Sequence, residues 1–363
     1  MGSIWGENLK ISLFGESHGS GIGVVLDGLP AGIALDEAQI AAFMARRAPG
    51  RASHTTARRE ADVPEILSGY YQGRTTGTPL AAIIRNTDTR SADYAELLEK
   101  PRPGHADLTG AIRYGGAQDP RGGGHFSGRL TAPLTFAGAV ASQILAVRGI
   151  RIAAHLYEVA GIRDLPFDAV TASTAQIDQL QSREFPVLNP ELETSMVAAI
   201  MTAKEKLDSV GGIVECIVRG LPAGLGDPMF GGVEPRFASL LFAIPAVKGV
   251  EFGSGFAAAR SYGSENNDSP QFVDGQIRTR TNNSGGADGG ITSGMPLQCR
   301  VAFKPTASIG REQDTVNLRT CQNELLVIHG RHDPSIVIRA VPVVEAAAAI
   351  ASLDLLIGDR SVY

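Results

Sequence analysis

Residues 101–133, PRPGHADLTGAIRYGGAQDPRGGGHFSGRLTAP, place dense polar chemistry on a backbone interrupted by glycine at 104, 110, 115, 116 and 122 to 124. The stretch carries His105 and His125, the proton partners Asp107, Tyr114 and Asp119, and arginines at 102, 113, 121 and 129. Glycine permits positive φ and close approach of backbone N–H groups to a ligand, so such a run beside arginines is what an anion cradle requires. A long surface loop has the same composition, and the stretch alone does not choose between them.

The rest of the chain is equally punctuated: 43 of 363 residues are glycine, above the usual share of about 7%. Between the glycines, periodicity predicts a strand at 9–14 ending in the turn GESHG, then a second strand. A helix follows from Leu35, with Asp36 as N-cap and Pro49-Gly50 as stop. Two short strands flank Gln72-Gly73, and a short helix is predicted over 91–98. A long helix covers 131–147 and a strand pair 150–163. Residues 166–187 give no clear signal. Beyond them come a helix capped by Asn189-Pro190, a strand over 212–222 and a helix over 234–249. Strands at 325–328 and 336–339 flank a loop holding His329, Arg331, His332 and Asp333, and an alanine-rich helix ends the chain. Elements come in pairs rather than in strict β-α alternation, which favours an α+β unit over a doubly wound sheet. The length alone admits two domains or one large multilayer domain.

A net charge of −5 argues against non-specific nucleic-acid binding, which needs a basic face. Any anion site must be local. One candidate is the run from Arg46 and Arg47 through Arg51 to Arg58 and Arg59, with His54 and no acid between; the alternative is a solvated basic face. The polar, glycine-rich stretch from 249 to 310 is read either as hairpin tips or as a cofactor edge. Cys216, Cys299 and Cys321 lack metal-ligand spacing and are read as buried free thiols. No basic leader precedes an apolar run and no segment of about 18 uncharged apolar residues occurs, so a soluble cytoplasmic protein without membrane contact is expected.

GESHG at 15–19 satisfies G-x-S-x-G, the nucleophile elbow of serine hydrolases, but that motif needs a helix after the turn and a β-branched strand follows here. His18, beside Ser17 and Glu16, is instead an acid/base candidate.

Taken in order, the motifs GESHG (15–19), RRAPG (46–50), RREAD (58–62), GRTTGTPL (73–80), RPGHAD (102–107), DPRGGGH (119–125), DSVGG (208–212), AVKGVEFGSGF (246–256), TNNSGGADGGITSGMP (281–296), KPTASI (304–309) and GRHDPS (330–335) make the chain resemble the chorismate synthase family. The resemblance implies one domain over 1–363, a β-α-β sandwich with helices layered between antiparallel sheets, and a homotetramer. It implies 1,4-anti-elimination of phosphate from 5-enolpyruvylshikimate 3-phosphate, with reduced FMN required. NADPH or an external flavin reductase would supply the reduction.

By the same resemblance His18, with Ser17, polarises or protonates the leaving phosphate, His105 exchanges a proton near the flavin, and Asp333 assists removal of the C6 proton. Ser127, Gly290, Lys304, Pro305, Thr306, Ala307, Ser308 and Arg331 match FMN-contacting segments. Arg46, Arg47, Arg51, Arg58 and Arg129 match positions for substrate or NADPH phosphate. His125, Phe126, Pro245 and Ala246 also fall at FMN-contacting positions, but the chain departs from the family pattern at His125-Phe126, where arginine and serine are common and His125 would supply a donor instead, and at Pro245 before Ala246, where asparagine is frequent; Ser335 replaces a frequent cysteine. The rival readings are a catalytically weak FMN-binding relative and a serine hydrolase using Ser17.

Overall fold

The computed structural model describes residues 2–50, 60–87, 96–171, 173–328, 330 and 332–359. The chain opens with β1 (Ile4–Trp5), β2 (Lys10–Gly15), β3 (Gly21–Asp27), α1 (Glu37–Arg47), β4 (Pro64–Ser68), the hairpin β5–β6 (Tyr70–Tyr71, Arg74–Thr75) and β7 (Leu80–Arg85). Next come α2 (Asp107–Tyr114), α3 (Thr131–Val147), β8 (Arg151–Val159), β9 (Ile162–Arg163), α4 (Thr174–Ser182), α5 (Glu193–Glu205), β10 (Gly212–Arg219), α6 (Val233–Phe242) and β11 (Val247–Phe252). After α7 (Gly263–Asn266) lie the hairpins β12–β13 (Pro270–Val273, Gln276–Thr279) and β14–β15 (Ala287–Asp288, Ile291–Thr292). The chain closes with β16 (Leu297–Phe303), the hairpin β17–β18 (Gln313–Asn317, Gln322–Leu326) and α8 (Val337–Gly358).

Two antiparallel sheets, ordered β1-β2-β3-β7-β4 and β11-β16-β10-β8-β9, enclose the helices. Helix α3 packs on β3 and β7, α8 packs on β8 and β10, and the two helices pack on each other. The fold is thus α+β, with helices layered between antiparallel sheets.

Their contact explains the small residues of α3. A β-carbon on Gly138 would overlap the backbone of Ala346, so glycine sets how closely the helices approach. Helix α8 is buried nearly all round, and its polar residues are therefore satisfied internally. Asp354 Oδ1 accepts the backbone N–H of Glu7, Asn8 and Leu9, and Asp354 Oδ2 accepts from Arg236. Glu345 accepts from Arg46 and from the Ala154 N–H. The segments Gly128–Val147 and Val337–Gly358 are long and apolar enough to cross a membrane, yet 78% and 94% of those windows lie buried inside the protein. They are core helices of this fold.

Several expectations change. Residues 337–339 open α8 rather than a strand; β-branched Val337 and Ile338 are buried there, and burial on all sides overrides strand propensity. Residues 64–85 form four strands, not two. The helix expected over 234–249 stops at Phe242, and a turn at Ile244–Val247 starts β11. Within 166–187 lies α4, with the Ser173 hydroxyl accepting from Gln176 N–H. Cys216 and Cys299 are buried cross-strand neighbours, but Cys321 is exposed in a positive-φ turn. Of the helix expected over 91–98, residues 91–95 lie outside the described residues, and Glu96–Leu98 is one 3₁₀ turn.

Candidate active site

The turn GESHG joins β2 to β3 where Gly15 pairs with Ile22. Asn86 holds it, donating from Nδ2 to the carbonyls of Glu16 (2.9 Å) and Gly19 (3.0 Å). The Ser17 N–H donates to Gly124 O at 3.1 Å, which docks the turn on the DPRGGGH loop. In that loop Gly122, Gly123 and Gly124 take φ of 60°, 83° and 53°, the left-handed region that favours glycine. The need is steric as well: a β-carbon on Gly122 would overlap the His18 ring, and one on Gly123 would sit 3.0 Å from His105 Cε1 and 3.1 Å from Nε2. His18 and His105 therefore flank adjacent glycines of a single loop.

The 101–133 stretch is more ordered than a surface loop. Helix α2 has Asp107 in its first turn and Arg113 in its last, and Gly115, at φ 61°, ends it as a left-handed C-cap. Asp107 reaches back to the preceding loop. Its Oδ1 lies 2.7 Å from His105 Nδ1, and Arg102 grips both oxygens, with Nε at 2.6 Å from Oδ2 and Nη2 at 2.8 Å from Oδ1. Burial opposes ionisation of Asp107, but the hydrogen bonds and charges of Arg102 and His105 outweigh it and hold the carboxyl well below the usual range.

The residues 304–308 border the same loop. The Lys304 ammonium donates to Gly104 O and its N–H to Ala246 O, while Ser308 Oγ accepts from Arg102 Nη1 at 3.2 Å. Pro305 abuts Gly211, and Ala307 lies beside Gly104.

A second set of charges connects Asp333 to the GESHG turn. Asp333 Oδ2 accepts from Arg339 Nη1 at 3.0 Å, and Arg339 Nε donates to Arg47 O. Arg47 and Arg129 both pair with the buried Asp62. Arg129 Nε lies 3.0 Å from Glu60 Oε2 and 3.1 Å from Asn86 Oδ1, which returns the network to the turn. Burial pushes the Arg47 guanidinium down to about 10. Burial pushes Asp62 up, but the two arginines prevail and lower it. Sequence reasoning had missed Asp62, Asn86 and Arg339. The available signal was position, because Glu60 and Asp62 follow directly on the acid-free basic run.

The chorismate synthase family profile matches residues 9–357. The chain belongs to the chorismate synthase family. The chorismate synthase of Korarchaeum cryptofilum is 46% identical over 357 residues, covering 97% of each chain. That of Dehalococcoides mccartyi is 47% identical over 359 residues, covering 98% of this chain and 96% of its own. A crystal structure of a chorismate synthase superposes with a TM-score of 0.77 at 30% identity, covering 97% of this chain and 92% of the other.

At His125-Phe126 and Pro245-Ala246, where the chain departs from the common pattern of chorismate synthases, the structure gives each residue work. His125 uses both ring nitrogens, Nδ1–H donating to Gly15 O (2.9 Å) and Nε2 accepting from the Ser3 hydroxyl (2.8 Å), so it ties Ser3, just ahead of β1, to the GESHG turn. It has no ring nitrogen left over to donate to a cofactor. Phe126 lies over Gly110 of α2, where a side chain would clash, and beside Tyr114 at 6.2 Å. Pro245 and Ala246 are the central residues of a turn closed by Val247 N–H to Ile244 O; proline favours the first position, and Ala246 at φ 75° takes the strained second one. Ser127 Oγ accepts from Arg129 N–H and caps a 3₁₀ turn.

Some predicted contacts lie apart within one chain. Arg46 forks onto Glu345 and lines a 290 Å³ cleft with Gln39, Phe43, Gln143, Arg151 and Gln181, away from both histidines. Gly290 receives Val233 N–H at the start of α6, whereas Ala246, which meets Lys304, follows its far end. Ten helical residues separate them, about 15 Å. Arg51, Arg58, Arg331 and His329 lie outside the described residues.

Proposed function

We propose that this chain eliminates phosphate from 5-enolpyruvylshikimate 3-phosphate to give chorismate, with reduced FMN bound. The observation that carries this reading is the convergence of His18 and His105 on Gly122-Gly123, with Ser17 Oγ beside Gly122, buried and without a protein partner among the described residues; Thr306 Oγ1, in the segment that borders the Gly104 loop, and Arg129 Nη2, in the network that reaches the GESHG turn through Asn86, are likewise buried without one. Such atoms are rare in a folded interior and fit a polar, anionic ligand. They suit a substrate with one phosphate and two carboxylates and a cofactor with another phosphate. Lys304 through Ser308 with Ala246 would hold FMN, and by resemblance Gly290 and Arg331 would join them. When bound there, reduced FMN would supply electron density to the reacting allylic system.

The chain's own residues supply the proton handling. His18, at the end of a fixed turn, donates to the phosphate oxygen as the C–O bond breaks. His105 exchanges a proton through Nε2. Asp333, oriented by Arg339, assists removal of the C6 proton. Arg129 and Arg47 present positive charge to the anions, and their pairing with Asp62 and Glu60 keeps that charge tolerable in a buried site before substrate arrives. Ser17 Oγ makes no hydrogen bond to His18, so the nucleophile–base pair of a serine hydrolase is not in place.

On this reading the whole chain acts as one unit, in the cytoplasm and as a homotetramer, without nucleic acid or membrane. NADPH or a separate flavin reductase serves as the reductant. An anaerobic assay tests the reading: protein, substrate and chemically reduced FMN should yield chorismate and phosphate in equal amounts, and oxidised FMN should yield neither. FMN binding without product would indicate a diverged relative.

A further inference from the structure

His105 Nδ1 has two neighbours that ask for opposite things. Asp107 Oδ1, at 2.7 Å, can only accept a hydrogen, and Arg102 Nη2, at 3.1 Å, can only donate one. The carboxylate is nearer, and Arg102 already has acceptors in both Asp107 oxygens and Ser308 Oγ. The Arg102 N–H also donates to Asp107 Oδ2 at 3.0 Å. Nδ1 therefore carries the hydrogen, and Nε2 is left beside Gly123 with its lone pair.

We propose that Asp107, clamped by Arg102, is the positioning residue that fixes His105 as the Nδ1–H tautomer and makes Nε2 its sole proton-exchanging nitrogen. This rests on the proposed reading for its catalytic consequence but not for its structural content. Arg102 of the 101–104 segment, Asp107 of α2 and Gly123 of the glycine loop lie against the ring. In that loop Asp119 is taken up by Arg121, and the Lys304 ammonium is taken up by Gly104 O. Asp107 is thus the one carboxylate found against the imidazole among the described residues, and Arg102 holds it ionised and in line. It does not take the proton; it orients the ring and stabilises the imidazolium when Nε2 is protonated. The link from Arg102 to Ser308 also ties the ring's orientation to the segment proposed to hold the cofactor.

The test is solid-state NMR of 15N-histidine-labelled full-length protein without ligand, with the His105 resonance assigned by its loss in His105→Gln. The neutral ring of wild-type His105 should show a protonated Nδ1 and an unprotonated Nε2. In Asp107→Asn, Arg102 should donate to Nδ1 instead, and the neutral ring should switch to Nε2–H. Turnover should fall about 100-fold, the low end of what a positioned acid/base group contributes, with KM for substrate little changed. Asp107→Glu should restore part of both the tautomer and the turnover. An Nε2–H ring in wild type would overturn the proposal, as would an unchanged tautomer in folded Asp107→Asn, whatever its activity. The wild-type spectrum decides even if the variant does not fold. Because it needs neither flavin nor substrate, failure to make chorismate would count against the proposed reaction and leave the tautomer assignment standing.

Discussion

Gly122 touches the His18 ring so closely that no β-carbon fits between them, although 104 positions separate the two residues in sequence. Gly122→Ala should therefore displace His18 and also strain the backbone at φ 60°. The strain costs about 1–2 kcal/mol, and turnover should fall roughly 100-fold, the effect of misplacing a reacting group by about an ångström. Gly123→Ala should be milder, because its β-carbon would meet His105 at 3.0 Å, where a small shift relieves it. Steady-state kinetics with thermal melts of both variants check the order.

His18→Ala and His105→Ala should each lower turnover by about 10- to 1000-fold without unfolding the chain. On the proposed reading Asp333→Ala should reduce kcat more than it raises KM, because Arg339 and the Ser335 N–H fix the carboxylate in place for the proton removal assigned to it. Wild-type turnover in the two histidine variants would remove them from the mechanism.

Asp62→Asn should be severe for stability. It leaves Arg47 and Arg129, both almost fully buried, facing each other without their shared carboxylate. Breaking a buried pair in this way costs about 3–5 kcal/mol, readable by urea denaturation. Since the folded Asp62 is lowered, its contribution is present above the unfolded carboxylate value of about 3.9 and is lost as pH falls through the lower folded value. The wild-type protein should lose stability in that acid window, and the variant should lack this part of the loss.

A buried imidazole should act at the other end of the scale. His155 Nε2 lies 3.0 Å from Glu215 and Nδ1 3.3 Å from Asp164, and Asp164 in turn accepts the N–H groups of Leu188 and Asn189. Burial would lower His155, but hydrogen bonds and charge from the two carboxylates outweigh it and raise it. Its contribution is complete below the unfolded value of about 6.5 and disappears as pH rises through the higher folded value. Denaturant midpoints should therefore decline above neutrality in the wild type, and His155→Gln should flatten the decline.

What the sequence determined by itself were features written in nearest neighbours. The β2–β3 pair around GESHG, the Asp36 cap of α1 and the extent of α3 follow from alternation, capping and helical periodicity, all of which act within a few residues. The order of motifs likewise sufficed to point to the family and so to His18, His105 and Asp333. The tertiary structure decided what those residues touch. Val337 and Ile338 have strand propensity but are helical because they are buried among the other layers. Glycines 115 and 116, which read as loop, end a helix whose Asp107 grips His105. Arg46 and Arg47 are adjacent in a basic run, yet about 100° of helix turn separates them, sending one to Glu345 and the other to Asp62. Asp62, Asn86, Arg129 and Arg339 form one network only because two sheets and their helices bring their segments together. Electrostatic pairing depends on distance in space, and a linear pattern carries no record of which distant charge will arrive.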